Sequence, residues 1–455
     1  MSVLAAATST QDAKLAVMLV DIALVLVVGV VLGRVFRLLR QPPVIGEIAA
    51  GIMLGPSVLG QLPGDLPARL FPADVRPLLS AVSQIGLVLF MFVVGWEFEK
   101  RLIRPHVGLA AGISLSSVTL AFGLGVATAW ALYPYHSTVG GHRISFVVFA
   151  VGLGTAMSVT AFPVLARILT DNRLLDTRVG TLALASAAID DVLAWCLLAY
   201  LSALVTANGS YWDLARIALL GLGYVGLMLL VVRPLVARLV RRWVGTRYAP
   251  SLLVGLCAGA LTSAWLTSWI GIHAIFGAFL FGFVMPREPV RVLAARLRRP
   301  IDNISLVLLP VFFIVTGLGV DLGALSTGDW ATLGLIVLVA CAGKLLGAVV
   351  VARPFRFSWT EAKDLGLLMN TRGLTELIVL NAAVSLGVLD GRMFTMLVIM
   401  ALVTTMMAAP LLSRRETLAS ATAPPPAPEL VGSPGGPTRA QRLSREDTPR
   451  PANVR

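Results

Sequence analysis

Between residues 14 and 413 the sequence returns again and again to apolar runs of about twenty residues, and runs of that kind leave few ways to fold. A helix needs ~17–25 such residues to cross the hydrocarbon core of a bilayer. Within that core every backbone polar group must be paired, so only helices and closed barrels span it. Barrel strands show weak alternation, not solid apolar runs. With 57% hydrophobic and only 13% charged residues, the chain lies far from a soluble domain, in which roughly a quarter of residues are charged. The expected fold is therefore an all-α polytopic membrane protein.

The runs divide into thirteen expected spans, at about 14–36, 43–60, 78–97, 107–132, 144–167, 178–205, 214–237, 250–268, 271–286, 302–320, 329–352, 362–387 and 392–413. The connections test the division. Odd-numbered connections and their flanks hold twenty-one Lys and Arg residues; even-numbered ones hold five, namely Arg69, Arg76, Arg143, Arg216 and Arg392. Basic connections stay on the cytoplasmic side. This predicts an N-terminus outside and a cytoplasmic C-terminus; the plasma membrane is the expected location. It also accounts for the net charge of +13 without nucleic acid. Three parts are expected: an outer tail over 1–13, a membrane domain over 14–413, and a cytoplasmic tail over 414–455. That last segment is rich in Pro, Ala, Ser and charge, cannot bury a core, and should be disordered. Cys196, Cys257 and Cys341 all fall inside apolar spans without metal-ligand spacing, and are expected as small core residues. No Gly-rich nucleotide fingerprint follows a strand, so no cofactor is expected.

Two spans are interrupted. The fifth contains Ser158 and Thr160 just before Pro163, and proline removes a helix donor. The twelfth contains Asn370, Thr371, Arg372, Gly373, Thr375 and Glu376 inside an apolar run. The first break is second in the trio of spans 4–6, the second is second in the trio 11–13. An odd offset of seven spans makes the two trios inverted repeats. Matching interruptions in inverted halves point to a transporter site near the bilayer midplane, lined here by Ser158, Thr160, Asn370 and Thr371.

Charge in the membrane sharpens that expectation. A charged residue at the bilayer centre costs at least ~2.5–3.5 kcal/mol. Yet Asp190 and Asp191 stand side by side in span 6, and Lys344 stands midway along span 11. Gly180, Ala183, Ala187 and Ala194 share the helix face of the aspartates, so small residues turn the acids toward packed protein. Spacing does not decide which aspartate faces a cavity. Carboxylate oxygens suit a small alkali cation or a proton, and paired acids titrate as a coupled set. If a sodium or potassium ion and a proton compete for Asp190 and Asp191, alternating access converts the competition into antiport. Lys344 is the counter-charge, pairing with an aspartate in the empty state and released on cation binding. Arg372 and Glu376, four apart, are supporting charges that pair with each other or neutralise the half-helices. Glu47 and Asp21 lie near span ends, where structural or solvated roles are expected. His273 stands alone, without metal-ligand spacing.

Enzyme chemistry fits poorly. An intramembrane aspartyl protease needs its two aspartates on separate helices. Prenyl transfer needs more acids to hold magnesium and diphosphate. Channel-like conduction, or cation/proton symport on the same scaffold, is the alternative to antiport.

The stretches RQPPVIGEIAAGIMLGPSVLG, SVTAFPVLARIL, AAIDDVLAW, GIHAIFGAFLFGFVMPRE and NTRGLTELIVLN together resemble the monovalent cation:proton antiporter superfamily. The resemblance is strongest to the plant and fungal cation/proton exchangers and their bacterial relatives, with Kef-type potassium exporters further off, and it covers about residues 15–413. It implies thirteen transmembrane helices in two inverted repeats, with two discontinuous crossing helices. It also implies a homodimer whose mobile core moves like an elevator against a dimerisation domain. By motif, Asp190 and Asp191 match the family's two-residue ion site, Asp191 its invariant second position, and Lys344 the lysine facing it. Many plant relatives carry Asn at the first position, so sodium and potassium both stay open, as does the charge moved per cycle.

Overall fold

Prolines and glycines set where the apolar runs start and stop in the computed structural model, which describes residues 10–97, 107–172, 174–175, 177–207, 210–244, 246–286, 297 and 299–422. The helices are α1 (Thr10–Leu38), α2 (Pro43–Leu54), the short α3 (Leu66–Leu70), α4 (Arg76–Glu97) and α5 (Val107–His136). A two-stranded ribbon of β1 (Thr138–Val139) and β2 (His142–Arg143) leads to α6 (Phe146–Ser158) and α7 (Phe162–Asp171). Then come α8 (Arg178–Ala207), α9 (Tyr211–Leu227), α10 (Arg233–Trp243), α11 (Ala249–Ile270), α12 (Ala274–Phe283) and α13 (Arg299–Leu318). The last are α14 (Thr327–Ala352), α15 (Trp359–Met369), α16 (Leu374–Ser385) and α17 (Gly391–Thr422).

Among the described residues, eleven helical segments are long and apolar enough to cross a membrane, and Ala274–Phe283 and Leu374–Ser385 are shorter apolar helices. The difference from thirteen lies at two places. The ninth expected span forms only the ten-residue α12, because Gly271 and the His273 cap hold back its start. The twelfth is split into α15 and α16, neither long enough alone. The seventh crosses as α9 and α10 joined by a π-helical turn, Met228–Val232, just before Pro234. A proline leaves the carbonyl four residues earlier without its donor, and such turns are where the helix widens to absorb the mismatch.

The terminal boundaries also shift. Helix α1 already begins at Thr10, inside the expected outer tail, and α17 runs through Thr422, past the expected membrane boundary. Residues 413–455 cluster as a separate unit; of the expected tail, 423–455 lie outside the described residues, as do Lys100, Arg101, Arg104, Arg173, Arg287, Arg291, Arg296 and Arg298.

Connections of like parity meet. Before α8, Arg178 stacks its guanidinium 3.9 Å over Phe357, which follows α14. At the opposite end of α5 and α14, His136 pairs with Asp390 at 2.8 Å, beside the start of α17.

Helices α5 and α14 pack closely enough to shape the centre. A Cβ on Gly347 would lie 2.5 Å from the Ser117 Cα, and one on Gly343 2.8 Å from the Ala121 Cα. The pair forms a GxxxG spacing, which lets membrane helices touch backbone to backbone. It brackets Lys344 and presses α14 onto α5 at the level of the site.

Candidate ion-binding site

Helix α6 ends at Ser158, and Val159, Thr160 and Ala161 run extended before α7. Pro163 sits in the first turn of α7, where its missing N–H would have had no helical partner. It therefore starts the second half-helix and does not kink the first. The other interruption has the same form: α15 ends at Met369, Asn370 caps it, and α16 begins after Gly373. The two interruptions cross and satisfy each other. The Ala161 N–H donates to the Thr371 carbonyl at 3.0 Å, and the Thr160 hydroxyl to the Met369 carbonyl at 2.8 Å. Unpaired backbone polar groups at this depth would each cost several kcal/mol.

Arg372 completes the crossing. Its guanidinium donates to the Ala156 carbonyl at 2.8 Å and the Met157 carbonyl at 2.7 Å, placing positive charge on the negative C-terminal end of α6. It lies 3.1 Å from Glu376 in a fully buried i,i+4 pair. That contact is an ion pair by proximity: hydrogen-bond geometry is lacking at both Glu376 oxygens among the described residues. Arg372 thus contacts both Glu376 and the end of α6. Thr405 of α17 holds the Arg372 backbone by accepting from its N–H and donating to its carbonyl.

Asp190 and Asp191 face this crossing from α8, 1% and 4% exposed. Their surroundings differ. Asp190 is occupied on both oxygens: the Ser114 hydroxyl of α5 donates to one, and the Lys344 ammonium lies 2.9 Å from the other. Lys344 also donates to Thr160 at 2.8 Å. Asp191 accepts from the Thr375 hydroxyl at 3.0 Å and lies beside the backbone N–H of Phe162. Those groups come from the first turns of α16 and α7, so Asp191 stands at the positive ends of both C-terminal half-helices. No Lys or Arg pairs with Asp191 among the salt bridges of the described residues.

The structure thus gathers Thr160, Asp190, Asp191 and Lys344, with Arg372 and Glu376 alongside. Two expected lining residues turn inward on their own helices: Ser158 donates to the Thr155 carbonyl and Thr371 to the Leu368 carbonyl. Asn370 turns to α14, its amide donating to the Cys341 sulfur at 3.3 Å. Ser114 was not singled out by the sequence. Its one signal is the polar cluster SLSSVT (114–119) in an otherwise apolar span. Thr375 stood inside the polar stretch of span 12 without a role. Further off, Asp21 is buried at 2% exposure and not solvated as expected. Cys196 is exposed and Cys257 and Cys341 are half-buried, so none is a core residue as expected.

Two cavities approach the acids from opposite ends of α8. One, of about 530 Å³, touches Gln84, Ser202, Thr206, His273 and Ser385. The other, of about 260 Å³, touches Thr177, Arg178, Gly180 and Glu361. Each stops roughly 15 Å short of the aspartates along the helix axis.

A solved transporter shares this architecture. The sodium proton antiporter MjNhaP1 from Methanocaldococcus jannaschii, determined at pH 8, matches with a TM-score of 0.65 at 14% sequence identity, over 90% of this chain and 99% of that one. The class defined by this likeness is that of a polytopic helical membrane protein with the same fold. Residues 11–414 match the family described as sodium/hydrogen exchanger, transmembrane, and the chain belongs to that family.

Its relatives fit the monovalent cation:proton antiporter superfamily. Na(+)/H(+) antiporter NhaS4 of Synechocystis is 41% identical over 400 residues, covering 87% of this chain and 96% of that protein. Cation/H(+) antiporter 20 of Arabidopsis thaliana is 40% identical over 413 residues, and K(+)/H(+) antiporter 1 of Saccharomyces cerevisiae 34% over 413. The chain spans about half the length of the plant and yeast relatives, 48% and 46%.

Proposed function

We propose that this protein is a secondary antiporter exchanging sodium or potassium for protons by alternating access, with Asp191 as the group that passes between cation and proton. The supporting observation is the division of labour between the acids. Asp190 is held by Ser114 and Lys344, while among the described residues Asp191 has one side-chain donor, the Thr375 hydroxyl, and no basic partner. With all five central groups ionised, Asp190 balances Lys344 and Glu376 balances Arg372. One negative charge, that of Asp191, is left for a single monovalent cation or proton. A cation arriving at Asp191 also acts on neighbouring Asp190, weakens its hold on Lys344 and releases the ammonium. Proton binding restores the pair.

The two cavities that end short of the acids support alternating access over an open channel. The thirteen-span, inverted-repeat organisation, the homodimer, the plasma membrane location and the outside N-terminus belong to the same proposal. The two crossed interruptions and the meeting of like-parity connections support the repeat organisation, and the homodimer and the plasma membrane rest on the family resemblance alone.

The test is cation uptake into proteoliposomes. An acidic interior should drive uptake of radioactive sodium or rubidium, as antiport requires. Uptake driven only by an acidic exterior would show symport, and uptake indifferent to the proton gradient would show a channel.

A further inference from the structure

If Lys344 leaves Asp190 during the cycle, a buried ammonium needs another partner at once, because a buried charge without one is strongly destabilising. We propose that Asn370 is that partner, its side-chain oxygen receiving the Lys344 ammonium when a cation displaces it. This rests on the exchange reading above.

Three observations carry it. Asn370 is 1% exposed, and its Oδ1 has no hydrogen-bond partner among the described residues. Buried amide oxygens nearly always have one, so such an acceptor calls for a reason. Its amide is also held in place, since Nδ2 donates to Cys341 at 3.3 Å. Cys341 lies one turn from Lys344 on α14, on the same side of the helix. Finally, the ammonium already sits next to this backbone. Lys344 and the Met369 carbonyl share the Thr160 hydroxyl, each at 2.8 Å, and Asn370 is the next residue. The proposed move is a rotation about the flexible lysine stem, which swings the ammonium from Asp190 toward Oδ1. Ser117 also has an unpartnered buried oxygen, but its backbone packs against Gly347.

Under this arrangement Asn370 stabilises the cation-bound state without touching the cation. The experiment measures stabilisation of the purified full-length protein against heat by sodium chloride and by potassium chloride, with choline chloride as reference. Asn370→Leu should weaken apparent cation affinity about tenfold, as expected for one hydrogen bond to a charged group, and Asn370→Gln should recover part of it. Lys344→Gln should bind cation at least as tightly as the wild type, because the competing ammonium is gone. In that background Asn370→Leu should have no further effect. Equal losses in both backgrounds would mean that Asn370 contacts the cation or acts only structurally, and would overturn the proposal. So would unchanged affinity in Asn370→Leu, or lost binding in Lys344→Gln. If Asn370→Leu does not fold, Asn370→Ala serves in the same cycle. A wild-type protein unresponsive to both salts would instead defeat the exchange reading itself.

Discussion

Asp190 and Asp191 are adjacent in sequence, and one helical step of ~100° sends them to different partners. Asp190 turns to Ser114 and Lys344; Asp191 turns to Thr375 and the start of α7. Substitutions should separate them. Ser114→Ala removes a hydrogen bond to a charged acid, worth about 1.5–3 kcal/mol. Asp190 then holds Lys344 alone, so cation-driven proton flux should persist with an altered KM. Thr375→Val removes the one side-chain donor to Asp191 among the described residues, and should slow exchange more than Ser114→Ala does. Equal effects, read from initial rates of flux, would contradict the division of roles. The acids and the lysine were legible in the sequence because charge in an apolar run is expensive and conspicuous. Ser114 was not, because a single hydroxyl in a membrane helix is cheap and common. Its importance appears only when α5 packs against α8.

Elements were legible where proline or glycine breaks a periodic run. Both interruptions could be placed within a few residues, but the role of Pro163 could not. The same residue kinks a helix in its interior and is neutral in its first turn, and only the extended 159–161 stretch decides between them. The GxxxG contact of α14 also stood in the sequence, at Gly343 and Gly347, without a partner to give it meaning. Gly347→Val would place atoms against the backbone of Ser117. Overpacking of this kind costs typically ~1–3 kcal/mol, so a lowered thermal midpoint with lost exchange is expected; an unchanged midpoint would mean that α5 and α14 are not locked there.

The first turn of α17 gives a pH-dependent test. Asp390 accepts from the Met393 N–H at 2.7 Å and pairs with His136. Burial pushes its pKa up, but the His136 and Met393 hydrogen bonds outweigh this, and the net shift is downward. A carboxylate lowered on folding stabilises above its unfolded pKa of about 3.9, and that stability is lost as pH falls through the lower folded value. Asp390→Asn should therefore lower the thermal midpoint at neutral pH, with the gap to wild type closing below about pH 4. A gap independent of pH would contradict a stabilising Asp390 carboxylate.

For the whole molecule, the hydrophobic runs and the alternation of basic connections foretold a polytopic bundle, and membership of the sodium/hydrogen exchanger family fits it. What composition could not give was the difference between a run that crosses and one that stops. Apolar content is similar in α12 and in the long helices, but Gly271 and the His273 cap shorten α12 to ten residues. Ion identity was equally hidden, since a carboxylate, a hydroxyl and a peptide N–H around one acid do not by themselves separate sodium from potassium. The relatives likewise carry both names, Na(+)/H(+) for the Synechocystis protein and K(+)/H(+) for the yeast one. The central claim is that Asp191 is where cation and proton trade places. It is tested most directly by dye-reported proton flux in everted vesicles from cells lacking their own antiporters, with sodium and potassium added separately. The account predicts cation-evoked alkalinisation with the wild type and none with Asp191→Asn at equal expression. Alkalinisation that survives Asp191→Asn would contradict it.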